Sequence, residues 1–172
     1  MKNKKYRVLV TIVLIAGAGA YAYKKIPLNI RYRSELKSLI VPPEKLPARC
    51  EKITEVGIAP IFPATSNPFV TDQPQLIDFV STIGFGFPTE NATAAFSAMY
   101  FQDVQSNEIG VWGLQFKNQN LANAHAKANA FREIVQKDAL ILTLWTDNES
   151  GKPCQEAIKN YLLQHGYSNR GK

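Results

Sequence analysis

The sequence predicts an α+β protein: an N-terminal transmembrane helix, a Pro-rich lead, then a small antiparallel or mixed sheet with two to three helices. The natural arrangement for such a domain is a ferredoxin-like or split-βαβ variant. Three observations carry this. An uncharged run at residues 8–23 lies between Lys2, Lys4, Lys5, Arg7 and the pair Lys24-Lys25. Two alternating runs, 94–103 and 109–116, flank the polar turn Gln105-Ser106-Asn107-Glu108. A helix-spaced stripe precedes a solid apolar run at 139–145, and a second amphipathic stretch follows it.

Residues 1–25 form the membrane segment, and two readings of it stand. As a retained anchor, its 16 uncharged residues fall just short of the usual span. Tyr6, Tyr21 and Tyr23 suit the interfaces, and flanking Lys and Arg side chains snorkel to extend the reach. As a cleaved signal, the apolar core runs over residues 8–15 and Ala20-Tyr21-Ala22 fits a small-x-small cleavage site. Basic residues flank both ends, so the positive-inside count is nearly tied. The short basic N-terminal tail tips the expectation toward a C-terminal domain outside the cytoplasm. Pilin-type precursors share this outline, but they carry a Gly before the apolar run and a Glu five residues into it; residues 8–23 hold no acidic residue, and Gly17 and Gly19 lie deep inside.

Charge divides the sequence in the same place. The net +6 splits into +8 over residues 1–37 (nine Lys and Arg, one acidic) and −2 over residues 38–172 (eleven basic, thirteen acidic). The basic character therefore belongs to the membrane-proximal part. A nucleic-acid partner requires a basic face on the folded module, and the sequence offers none.

Residues 26–70 form a juxtamembrane segment and a Pro-rich lead. Ile30, Leu36, Leu39 and Ile40 give a weak helical stripe that stops at Pro42-Pro43. Seven prolines between residues 42 and 74 exclude a long helix or a regular central strand. One short strand fits at 53–58. The lead is too apolar for a free linker, so Ile58, Ile61, Phe62 and Phe69 are expected to pack on the domain or on a partner.

The compact domain is expected over residues 71–168, with 169–172 as a tail. Asp72 is a candidate N-cap for a short helix whose face is Leu76, Ile77, Phe79 and Val80, ending at Gly84. Gly84-Phe85-Gly86-Phe87-Pro88 breaks the regular pattern and presents two aromatics. The two alternating runs that follow predict an antiparallel hairpin, with Trp112, Leu114 and Phe116 on one face. Leu121, Ala124, Ala128, Phe131 and Val135 predict a helix over 120–136. The run 139–145 predicts a strand covered on both faces. If it shares a sheet with the strand at 109–116, a right-handed parallel crossover joins them. The last helix is expected over 153–165, from Pro153 to a C-cap at Gly166.

The chemistry-bearing residues are few. His125 and His165 have no ligand partner at metal spacing, so no metal or cofactor is implied. Asp147-Asn148-Glu149 lacks the pattern of a calcium loop. No phosphate-binding loop or nucleophile elbow occurs, and no catalytic residue is assigned. Cys50 and Cys154 are the two cysteines. They predict a disulfide tying the lead to the last helix in an oxidising compartment, or two buried thiols in a reducing one. Two functions remain open. One is a single-pass, non-catalytic accessory subunit of a membrane complex, with Ile58, Ile61, Phe62, Phe69, Phe85 and Phe87 as interface candidates. The other is a membrane-tethered or exported enzyme or small-ligand binder whose pocket only the fold assembles.

Overall fold

A computed structural model describes residues 26–52, 67–102 and 107–171. The expected anchor, the strand expected at 53–58, and Ile58, Ile61 and Phe62 lie outside the described residues. Among the described residues no helix is long and apolar enough to cross a membrane. The protein divides into two compact units, Met1–Arg33 and Ser34–Lys172. In the first, one helical turn, α1 (Leu28–Arg31), follows Pro27.

The second unit is an α+β domain built on an antiparallel sheet. After α2 (Arg33–Ser38) come strands β1 (Cys50–Lys52) and β2 (Phe69–Thr71), and helix α3 (Pro74–Phe85). The long hairpin β3 (Ala92–Gln102) and β4 (Asn107–Phe116) follows. Then come α4 (Gln119–Ala128), β5 (Ile134–Lys137), β6 (Leu140–Thr146), α5 (Lys152–Gln164) and β7 (Ser168–Asn169). The strand order is β1-β3-β4-β6-β5-β7, with β2 also paired to β3.

Every ladder is antiparallel, including β4 with β6. This corrects the ferredoxin-like or split-βαβ expectation, which requires a parallel crossover. The cause lies after Ala128. The helix expected to reach residue 136 stops where Asn129 bonds back to it, Nδ2 donating to the His125 carbonyl at 3.0 Å. The β-branched pair Ile134-Val135 then enters the sheet. The backbone reverses at Asp138, whose φ of 51° suits the tolerance of Asp for the left-handed region. One extra reversal turns a parallel crossover into an antiparallel return. Helix α3 also differs slightly. Thr71 Oγ1 accepts from the Gln73 N–H at 3.1 Å, Pro74 occupies the first turn, and Gly86, with φ 90°, terminates the helix in place of Gly84.

The register assigns the layers. Ala95, Trp112, Leu114, Phe116, Ile134 and Ile141 share the face covered by Ile77, Val80 and Phe85 of α3 and by Ala122 and Ala126 of α4. Phe96, Ala98, Tyr100, Ile109, Val111, Leu142 and Leu144 point the other way, the side of α5 with its buried Cys154, Ile158 and Leu162. The second face also takes the lead. Tyr100 is fully buried there, and its hydroxyl donates to the Leu39 carbonyl at 2.5 Å while accepting from the Val41 N–H at 3.2 Å. Burial pushes the Tyr100 phenol up to about 12, opposed by its bond from Val41. Leu39 and Val41, just before the Pro-rich stretch, are thus held on the domain; of the four apolar residues expected to pack, Phe69 alone is among the described residues, and it lies against the core.

The edge of β3 is shared. β1 pairs with residues 100–102 and β2 with residues 95–97. Between them the Asn67 side chain stands in for backbone: Met99 N–H donates to Asn67 Oδ1 at 3.0 Å, and Asn67 Nδ2 donates to Met99 O at 2.8 Å. The ladder thus continues across the insertion between β1 and β2. At Cys50 the edge is fixed covalently. Cys50 and Cys154 form a disulfide with Cα atoms 5.7 Å apart, joining β1 to α5.

Candidate recognition cleft

A cleft of about 660 Å³ opens on the α3 side of the sheet, at the β4–β6 end. Its floor is Trp112 and Trp145, the two tryptophans of the protein. Register explains why they meet. Trp112 lies opposite Thr143 and Trp145 opposite Gly110, so the indoles sit diagonally across adjacent strands on one face. They stack with centroids 6.2 Å apart and planes 14° from parallel. Phe79 of α3 meets Trp112 edge-on at 6.2 Å. Two glycines make the room. A Cβ on Gly110 would collide with the Trp145 ring, and one on Gly84 would come within 2.9 Å of Trp112 Cβ.

The walls come from connections. Ile83 flanks one side, Arg132 and Glu133 approach from the α4–β5 turn, Asp147, Asn148 and Glu149 come from the β6–α5 loop, and Lys152 and Gln155 from the start of α5. A second hollow of about 730 Å³ shares Arg132, Glu133, Glu149, Lys152 and Gln155 with the first and adds Phe131, Pro153 and Glu156. The two read as one groove. Its rim carries large exposed apolar side chains, Ile83 at 48% and Phe131 at 64%.

The charges of the groove are mostly matched internally. Glu133 Oε1 holds Lys159 Nζ at 2.5 Å, with both side chains largely buried. Glu149 holds Lys152 at 2.6 Å on the exposed first turn of α5. Asp147 Oδ2 accepts from the Glu108 N–H at 3.3 Å. Glu156 has no ion pair among the described residues, and neither does Arg132. Its guanidinium lies 5.5 Å from the Phe131 ring centroid, and its Nε is buried with no hydrogen-bond acceptor among the described residues. A buried donor without an acceptor is costly and calls for an explanation.

A second cluster lies behind the groove. His125 of α4 is 8% exposed and boxed by the rings of Phe85, Phe87 and Phe116 at 5.4, 5.1 and 5.1 Å. Burial lowers its pKa from the usual histidine value, and Nε2 has no partner among the described residues. The aromatic box and the burial together favour the neutral imidazole. Among the described residues no group of three or more His, Cys, Asp or Glu is placed to hold a metal ion.

The interface candidates separate. Phe85 has no exposed surface, which corrects its assignment as a partner anchor: its ring fills the core beside His125. Phe69 is half-buried and packs on the same core. Phe87 remains 40% exposed. Sequence reasoning missed Ile83, placed Phe131 on a helical stripe, and treated Trp112 and Trp145 as separate strand residues. The signal present in the sequence was one tryptophan in each of two expected strands, with Gly110 and Gly113 flanking the first; their adjacency comes from the β4–β6 pairing.

No protein-family model matches this sequence, and neither curated proteins nor solved structures give a match.

Proposed function

We propose that this is a single-pass membrane protein whose disulfide-bonded α+β head binds another subunit of a membrane complex, outside the cytoplasm, through the tryptophan-floored groove. The anchor is the helix expected at residues 8–23, with its basic tail inside. The observation that carries the reading is the groove itself. Exposed apolar side chains, Ile83 and Phe131, border stacked indoles and the Arg132 guanidinium, which has no ion-pair partner among the described residues. Trp and Arg are enriched among binding hot spots, and contiguous exposed apolar surface marks interaction sites. A disulfide between the lead and the last helix fits an oxidising compartment. The test is co-purification of the full-length protein from detergent-solubilised membranes, with Trp145→Ala as the control variant. A stable partner lost on substitution supports the reading; a partner retained, or none recovered, contradicts it.

A second reading has one observation in its favour. The first hollow, about 660 Å³, matches the size of small-ligand pockets. It predicts a head that binds a small molecule with no partner protein, and the same purification separates the two.

A further inference from the structure

We infer that the groove takes a peptide segment of the partner that presents a single carboxylate beside an apolar side chain, with Arg132 gripping the carboxylate and Trp145 receiving the apolar group. This rests on the recognition reading above and specifies its chemistry.

The pattern of charge pairing points to the anion. Around Arg132, Glu133 is neutralised by Lys159 and Glu149 by Lys152. Asp147 is exposed and bonded to the Glu108 N–H. None of the three pairs with Arg132, whose Nε is already withdrawn from water. The terminal nitrogens of the guanidinium, unlike Nε, keep accessible surface and have no acceptor among the described residues, so they are the donors open to an incoming oxygen. A guanidinium offers a planar fork matched to a carboxylate. Phe131 lies beside that guanidinium, its ring centroid 5.5 Å away.

The same surroundings limit the anion. Glu133, Asp147 and Glu149 line the first hollow and Glu156 the second, so a phosphate dianion would meet like charge, while a monoanion asks for one guanidinium only. The groove also decides the body of the ligand. Two adjoining hollows of about 660 and 730 Å³ share one wall, a length suited to an extended segment. Stacked indoles at the floor and Ile83 at the rim favour an apolar side chain next to the anion. Both sources of such a carboxylate, the C-terminus of a polypeptide and an Asp or Glu side group, share this chemistry.

Intrinsic fluorescence tests it, because both tryptophans of the protein line the groove. The full-length protein in detergent is titrated with N-acetyl-Leu-Phe as the free acid, with its C-terminal amide, and with N-acetyl-Phe-Glu-amide. The acid, the glutamyl probe or both should bind about ten-fold or more tighter than the neutral amide. Arg132→Gln should erase that preference while leaving the emission of the unliganded protein and the disulfide intact. Arg132→Lys should keep only part of it, since a point charge replaces the fork. A stronger free acid identifies a polypeptide terminus as the source, and a stronger glutamyl probe identifies a side group. Equal binding of acid and amide, no fluorescence response to any probe, or a preference surviving Arg132→Gln would overturn the inference. The recognition reading fails separately: a partner lost on Trp145→Ala but kept on Arg132→Gln removes the carboxylate and retains the groove.

Discussion

The Trp145 indole lies 14° from parallel to that of Trp112, with ring centroids 6.2 Å apart, and Gly110 sits directly beneath it. Strand pairing sets the two rings on one face, and the absence of a side chain at residue 110 lets the second ring lie flat. The floor of the groove therefore depends on a glycine that touches no ligand.

Gly110→Ala should lift Trp145 from the floor. Overpacking of this kind costs about 1–3 kcal/mol. Chemical denaturation should show that loss, and the tryptophan emission of the folded protein should shift. Gly84→Ala, whose Cβ would come within 2.9 Å of Trp112 Cβ, should destabilise in the same direction. Unchanged emission and unchanged stability in both variants would mean that the indoles are not held this way.

The disulfide closes a loop with a sequence separation of 104. Loop-closure entropy for that length gives about 4–5 kcal/mol, and removal of a native bridge typically costs about 2–5 kcal/mol. Cys50→Ser with Cys154→Ser should lower stability by that order, and reductant should do the same to the native protein. A denaturation midpoint indifferent to reductant would show that β1 is held to α5 by packing alone.

His125 should make stability fall in mild acid. Burial lowers its folded pKa, so below about 6.5 the unfolded state takes up a proton that the folded one refuses. The contribution is complete above that pH and is lost as pH falls toward the folded pKa. The slope from one such proton is at most about 1.4 kcal/mol per pH unit. His125→Phe should flatten the profile between about pH 7 and 5.5. An unchanged slope would place the titration elsewhere.

Glu133→Gln should be more disruptive than Glu149→Gln. The first leaves Lys159, with an 11% exposed side chain, without its counter-charge; the second breaks a pair whose side chains are 59% and 85% exposed. An exposed pair contributes about 0–1 kcal/mol, whereas stranding a largely buried charge costs several-fold more. Thermal melts of both variants compare them directly, and equal shifts would contradict the burial argument.

Local pattern made much of the fold legible. Alternation marks β3 and β4, the solid apolar run marks β6, and the stripe from Cys154 to Leu162 marks α5. What the sequence hid was a single reversal. Phe131 and Val135 happen to continue the spacing of α4, so periodicity alone carries the helix through them. Asn129 closes the helix through a local bond to the His125 carbonyl and Asp138 turns the next strand with a positive φ, and neither interrupts the apolar spacing on which a periodicity reading rests. That error reversed the sense of β6 relative to β4. The groove was hidden because Trp112, Trp145, Ile83 and Arg132 lie on four different elements or connections and converge only through the register of the sheet. The Cys50–Cys154 pair was legible because two cysteines admit one intramolecular bridge.

The groove as a partner-binding site is tested most directly by cross-linking in intact membranes. A photoreactive phenylalanine analogue is placed at Phe131 on the groove rim, or at the exposed Lys117 outside its lining, in the full-length protein. The account predicts a discrete adduct with one membrane-complex subunit from position 131, its cross-linked residue lying in a segment with an apolar side chain and a carboxylate, and no such adduct from position 117. The same adducts from both positions, or none from position 131, would contradict it.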